Sequence, residues 1–274
     1  MIAMLSFVAS LSRAHKSAMD SAIVIALIIA ALIFAVALLY STVGHAGASG
    51  YLAAMALFGI STAVMKPTAL ILNIIVAVVG TIRFHRAGFF SWRVFWPFAA
   101  ASIPASFIGG YLTLPVPIYK SIVGAVLLYS AIRLFFGAGR ADKKQLTRAP
   151  ISMALVIGAA IGLLSGLTGV GGGIFLSPVL LLMNWARTKE TSGVAVTFIL
   201  VNSIAGLLGH VSSVALIPMN IVYWAPAALL GGWIGTELGT KVLPVAGVRR
   251  WLSVVLVLAG AKLLAEAILL LLHR

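Results

Sequence analysis

The chain has 274 residues, of which 62% are hydrophobic and 9% charged, with no cysteine. Soluble domains carry roughly a quarter charged residues, so this composition excludes an ordinary soluble fold, disorder and any cysteine-based metal or redox chemistry. The formal charge of +14 comes from 19 Lys and Arg against 5 Asp and Glu; it lies in short clusters between long uncharged runs, which marks orientation in a bilayer rather than nucleic-acid binding.

In chain order, Met1–Ser12 is apolar without a basic segment before it, which gives little support to a cleaved signal peptide. Residues 1–20, with Arg13, Lys16 and Asp20, are predicted to be an N-terminal extension. Residues 21–137 hold the uncharged span Ala22–Tyr40, a glycine-rich break, a short apolar stretch (Gly50–Val64) and the uncharged runs Pro67–Ile82, Val94–Tyr119 and Ser121–Ile132. Residues 138–150 carry Arg140, Asp142, Lys143, Lys144 and Arg148 and read as a cytoplasmic linker. Residues 151–274 repeat the layout, with a second break, the short stretch Ile174–Trp185 and further uncharged runs over 191–236 and 251–261. A bilayer core needs about 20 apolar residues per spanning helix, and the period-two alternation of a barrel is absent. The expected fold is an all-α polytopic membrane protein of eight full spans plus two short half-helices, up to ten segments in all. Trp92, Trp96, Trp185, Trp224 and Trp251 lie near inferred span ends and read as interface anchors.

The chain matches itself. At a shift of 129 positions, Thr68 falls on Thr197, Asn73 on Asn202, Gly80 on Gly209, Pro97 on Pro226 and Gly110 on Gly239. The basic residues correspond too: Lys120 with Arg249, and Arg133 with Lys262. Upstream the shift is 125, pairing Gly44 with Gly169 and Gly47 with Gly172. Two homologous membrane halves suit a transporter whose site lies where they meet. If the short stretches cross the membrane, each half has five crossings and the halves are inverted; if they re-enter, the halves are parallel. Inversion with the linker inside puts Arg83, Arg86, Arg93, Arg187, Lys189, Lys241, Arg249 and Arg250 on the cytoplasmic side. The positive-inside rule therefore favours inverted repeats.

The two breaks, Ser41–Gly50 and Ser165–Gly173, are poor material for continuous helix. Non-helical backbone at membrane depth survives only against protein or a water-filled cavity, and paired breaks point to a binding site. A helix restarting there offers free N–H groups and the positive end of its dipole, which suits an anion. Gly162, Gly166, Gly231, Gly235 and Gly239 read instead as close-packing positions.

Gly169-Val-Gly-Gly-Gly173, followed by Pro178 and Leu180, resembles the glycine-rich signature of the TauE/SafE sulfite-exporter family of membrane transporters. The resemblance covers nearly the whole chain from about Ala22. The first break departs from it, with Ala46 and Ala48 for glycines, Ala53 for proline and His45 inserted. The resemblance implies transport of sulfite, thiosulfate, organosulfonates or related small organic anions.

The binding residues expected are Gly44, His45, Gly47, Ser49 and Gly50 in the first break; Gly169, Gly171, Gly172, Gly173 and Ile174 in the second; and Lys66, Thr68, Asn73, Thr197 and Asn202 in the following spans. Lys66 reads either as a counter-charge or as a snorkelling lysine. His45 is either an oxyanion donor or proton carrier, or a satisfied structural histidine. Asn73 and Asn202 should face inward, bracing the broken backbone or touching substrate. Of the acids, Glu237 and Glu266 lie in apparent spans and neither is repeated, which disfavours a carboxylate-built metal or sodium site. No cofactor, metal site or catalytic cluster is predicted, and the glycine run lacks the lysine of a phosphate loop.

The sequence thus predicts a non-enzymatic secondary transporter of small sulfur-containing anions, in a bacterial inner membrane and working by alternating access. An anion channel and a non-catalytic subunit of a membrane complex are the alternatives. The partners expected are the anion, the lipid bilayer and a coupling proton or sodium ion, with no nucleic acid; self-association stays open.

Overall fold

The computed structural model describes residues 23–136, 146–213, 221–241 and 246–272. The expected N-terminal extension and most of the linker lie outside them. The described residues form ten helices and no strand: α1 (Ile23–Ser41), α2 (Ala48–Leu57), α3 (Thr62–Arg86), α4 (Trp92–Tyr111), α5 (Val116–Phe136), α6 (Ile151–Thr168), α7 (Gly173–Leu182), α8 (Thr188–Ser213), α9 (Ile221–Lys241) and α10 (Ala246–Leu272). Within α1, α3, α5, α6 and α8 lie stretches long and apolar enough to cross a membrane. The two short helices, α2 and α7, have ten residues each and follow the two breaks. They begin and end earlier than the short stretches read from the sequence. In α3 the helix starts at Thr62 and carries Pro67 in its second turn, where the ring forgoes one backbone hydrogen bond.

Large residues on the outer helix faces are apolar, as lipid requires; Val156 of α6 and Leu230 of α9 are exposed. Lipid gives helices no hydrophobic reason to associate, so close backbone approach has to supply contact. In α6, Gly158, Gly162 and Gly166 face the backbones of Phe98, Ser102 and Ser106 in α4, four residues apart on both helices. In α9, Gly231 and Gly235 face Phe34 and Leu38 of α1 in the same way, and Gly239 faces Thr42 just after it. A Cβ at these glycines would run into backbone atoms of the partner helix. The close-packing reading of Gly162, Gly166, Gly231, Gly235 and Gly239 is therefore what the structure has. The first helix of each half packs on the fourth helix of the other.

At the centre, the equivalent helices α3 and α8 meet with opposite direction: Gly80 lies on Val196, while Gly206 lies near Leu70. The equivalent helices α5 and α10 do the same, Gly124 meeting Gly260 and Leu264. Ion pairs tie the halves together at their edges. Arg83 of α3 pairs with Glu237 of α9, which also holds Lys241, and Lys120 of α5 meets Glu266 of α10 at 2.7 Å. Glu237 and Glu266 are thus each engaged with a cation of the first half.

The tryptophans divide. Trp92 and Trp96 are exposed, as anchors should be, but Trp185 and Trp224 are buried. Trp185 packs on Phe98, and the Trp224 indole N–H donates to the Ala26 carbonyl of α1 at 3.3 Å. A tryptophan near a span end is swallowed when a neighbouring helix supplies both an apolar wall and an acceptor.

Candidate functional site

Each first helix ends on a left-handed glycine. In α1, His45 N–H bonds the Tyr40 carbonyl and Gly44 N–H the Ser41 carbonyl, a Schellman cap with Gly44 at φ 75°. In α6, Gly169 at φ 84° donates to the Ser165 carbonyl in the simpler left-handed cap. The chain then restarts as helix behind a second left-handed glycine, Gly47 (φ 107°) before α2 and Gly172 (φ 82°) before α7. Neither start has a side-chain cap. The opening N–H groups of α2 and α7 therefore have no partner within their own helices.

The first break lies against the second half. Gly44 packs so closely on Ser192 of α8 that a side chain there would strike the Ser192 backbone. His45 places Nδ1 3.2 Å from the Val43 carbonyl and Nε2 3.2 Å from the Ser177 hydroxyl of α7. Tyr51 donates its hydroxyl to the Ala46 carbonyl, and Tyr40 shares a 2.8 Å hydrogen bond with Ser49. Gly50 is pressed on Val36 of α1.

The second break lies against the first half. Gly169 sits on the Lys66 backbone. Asn73 of α3 donates from Nδ2 to the Val170 carbonyl at 3.3 Å and to Ser203 Oγ at 3.4 Å. Its Oδ1 is buried without a partner among the described residues. A Cβ at Gly171 would stand 2.7 Å from that same Nδ2, so the glycine makes room for the asparagine. Gly173 faces Ile199 of α8, and Ile174 packs on the core beside it. Tyr119 of α5 donates to the Thr168 carbonyl at 3.3 Å just before the break.

Other expected site residues stand apart or turn inward. Lys66 aims its ammonium at the C-terminal end of α4, donating to the carbonyls of Gly110 (2.8 Å), Gly109 (3.2 Å) and Leu112 (3.3 Å). A cation at a helix C-terminus satisfies free carbonyls and complements the dipole. Thr197 donates to Gly193 of its own helix, and Asn202 Nδ2 to Phe198. Thr68 Oγ1 and Asn202 Oδ1 are buried without partners among the described residues. Both asparagines are fully buried, as expected. The two halves thus differ in detail: Asn73 braces the opposite break, while its equivalent braces its own helix. Ser177, Tyr40, Tyr119 and Ser203 were not singled out from the sequence. Ser177 alone carried a signal, its place beside Pro178 in the glycine-rich motif.

Comparison with known proteins agrees with this architecture. The family model described as sulfite exporter TauE/SafE matches residues 28–263. The chain is 43% identical over 234 residues to the "Probable membrane transporter protein y4hK" of Sinorhizobium fredii, covering 84% of this chain and 95% of the relative. It is 23% identical over 227 residues to the "Probable membrane transporter protein YdhB" of Bacillus subtilis, covering 80% and 92%. With the "Probable membrane transporter protein MJ0441" of Methanocaldococcus jannaschii it shares 25% identity over 210 residues, covering 72% and 77%. No solved structure matches the chain.

Proposed function

The chain belongs to the sulfite exporter TauE/SafE family of membrane transporters, and from that premise we propose that it is a secondary transporter of small sulfur-containing oxyanions, sulfite or an organosulfonate first. The observation that carries this reading is the pair of uncapped helix starts, each behind a left-handed glycine at equivalent positions of a duplicated chain. Such starts present N–H groups and positive dipole ends, the chemistry that holds an oxyanion. The anion is held between the breaks by the first N–H groups of α2 and α7. His45, Thr68, Asn73, Thr197 and Asn202 shape the pocket, and Lys66 holds the end of α4 next to it.

The repeats are inverted in this reading, with eight full crossings and the linker in the cytoplasm of a bacterial inner membrane. The opposite directions of α3 and α8, and of α5 and α10, support inversion, because equivalent helices that run antiparallel are related by an axis in the membrane plane. Rocking of one half against the other gives alternating access, without chemistry on the substrate. The test is flux of sulfite and sulfonates into liposomes holding the purified chain. Saturable flux is expected; silence for every sulfur anion, with the protein folded, overturns the substrate class.

A further inference from the structure

The two short helices are equivalent in sequence and yet held differently. Residues 48–56 of α2 are all buried, and Lys262 of α10 donates from Nζ to the carbonyls of Ala56 (2.8 Å) and Leu57 (2.9 Å). One turn on, Glu266 stands 2.7 Å from Lys120 of α5 and 3.9 Å from Lys262, closing a charged cluster over the end of α2.

The shift of 129 carries Lys262 onto Arg133 of α5, and the shift of 125 carries Ala56 and Leu57 onto Leu181 and Leu182, the last residues of α7. The correspondence holds in the backbone: α2 and α7 end in the same Schellman cap, with Gly59 (φ 71°) in one and Asn184 (φ 54°) in the other. The clamp, however, is missing from α7. Leu182 is 55% exposed, and its carbonyl meets the side-chain amide of Asn184 at 3.5 Å. Arg133 makes no hydrogen bond or ion pair among the described residues. The end of α7 is tied to the linker instead, where Thr147 bonds the carbonyls of Met183 and Asn184. Arg133 is nonetheless close at hand, since Tyr129, one turn before it, stacks on Phe175 of α7 with ring centroids 5.5 Å apart.

A helix end offers free carbonyls and the negative end of its dipole, and a charged donor holds them more firmly than a neutral one. Two equivalent helix ends therefore have two equivalent cations, one engaged and one not. We propose that Lys262 and Arg133 are positioning residues that hold the two half-helices in turn. In the conformation described, Lys262 clamps α2, and the α7 end has the neutral contacts of Asn184 and Thr147 in place of a cation. In the opposite one, α5 moves over α7, Arg133 takes the carbonyls of Leu181 and Leu182, and Lys262 releases α2. The proposal rests on the alternating-access reading and names the contacts that define its two states.

The chain has no cysteine, so single thiols placed by Leu57→Cys or Leu182→Cys can be titrated with a membrane-impermeant maleimide in liposomes. Lys262→Ala is expected to raise labelling at position 57 several-fold and lower it at position 182. Arg133→Ala should move both positions the other way, and Lys262→Arg and Arg133→Lys should keep the native pattern. Shifts in the same direction for both alanine variants, or none for Arg133→Ala, overturn the proposal. Should Lys262→Ala fail to fold, the Arg133 arm decides, because among the described residues that side chain makes no hydrogen bond or ion pair to lose. Labelling needs no substrate. Reciprocal labelling without flux of any anion upholds the two clamps and sinks the transport reading; flux with unresponsive labelling does the reverse.

Discussion

His45 of the first break and Ser177 of the second short helix are hydrogen-bonded, Nε2 to Oγ, at 3.2 Å. The Val43 carbonyl beside Nδ1 can only accept, so a neutral ring that bonds it from Nδ1 takes the serine hydroxyl at Nε2. The bond crosses from one repeat to the other, beside the uncapped start of each short helix. With the Asn73–Val170 bond, it links the two candidate half-sites directly.

Breaking that link should cost function more than stability. A single hydrogen bond contributes about 1 kcal/mol net. His45→Ala is therefore expected to lower the melting temperature in detergent by a few degrees at most while cutting initial anion flux at least tenfold. His45→Gln, which keeps a donor and an acceptor, should recover part of the flux. Unchanged flux in His45→Ala would remove this residue from the path.

Gly171→Ala combines two penalties. A left-handed backbone costs a side chain roughly 1–2 kcal/mol, and the new Cβ would press on Asn73 Nδ2 from 2.7 Å. Gly88 is also left-handed, at φ 75°, but a Cβ there meets nothing within 4 Å. Denaturant unfolding should find Gly88→Ala about 1 kcal/mol less stable and Gly171→Ala clearly worse. Equal losses would mean that the Asn73 contact adds nothing to the strain.

The glycine ladders should fail together. Gly162→Leu in α6 and Gly235→Leu in α9 each drive a side chain into the partner backbone, and backbone cannot yield as a side-chain end can. Overpacking of this kind typically costs about 1–3 kcal/mol or more. Both variants should show a sharp fall in monodisperse protein on size exclusion, whereas Val156→Leu on the exposed face of α6 should behave as wild type.

Lys66→Met separates a cap from a counter-charge. The carbonyls of Gly109, Gly110 and Leu112 lose their donor, and unsatisfied buried polar groups cost about 1–3 kcal/mol. Lower thermal stability is expected, with the KM for the anion changed little in the protein that folds. A large rise in KM at unchanged stability would place the ammonium on the anion itself.

Glu237→Gln tests whether the α9 carboxylate lies on an ion path. Glu237 is partly exposed and paired with Arg83 and Lys241, and such pairs are worth about 0–1 kcal/mol. A stability loss within that range and near-normal flux are expected. Abolished flux with intact folding would make the carboxylate part of transport.

The breaks, the short helices and the packing glycines were legible in the sequence because each depends on local properties: backbone freedom, length and residue size. The duplication was legible because polar and glycine positions repeat in register. The partners of the expected site residues were not. Asn73 and Asn202 look alike in sequence, yet one reaches Val170 across the halves and the other its own helix. Lys66 could not be matched to the end of α4, nor His45 to Ser177, because those encounters depend on how distant helices dock. Trp185 and Trp224 misled for the same reason.

Counterflow in liposomes tests the central claim most directly. Vesicles holding the purified chain are loaded with unlabelled sulfite, diluted into labelled sulfite, and followed in time. A carrier with one anion site exposed alternately to each side should accumulate label transiently above its external concentration, and Gly172→Val, whose side chain would crowd Ile161 and Phe198 at the start of α7, should abolish the overshoot. Label that only equilibrates, without overshoot or saturation, would contradict alternating access.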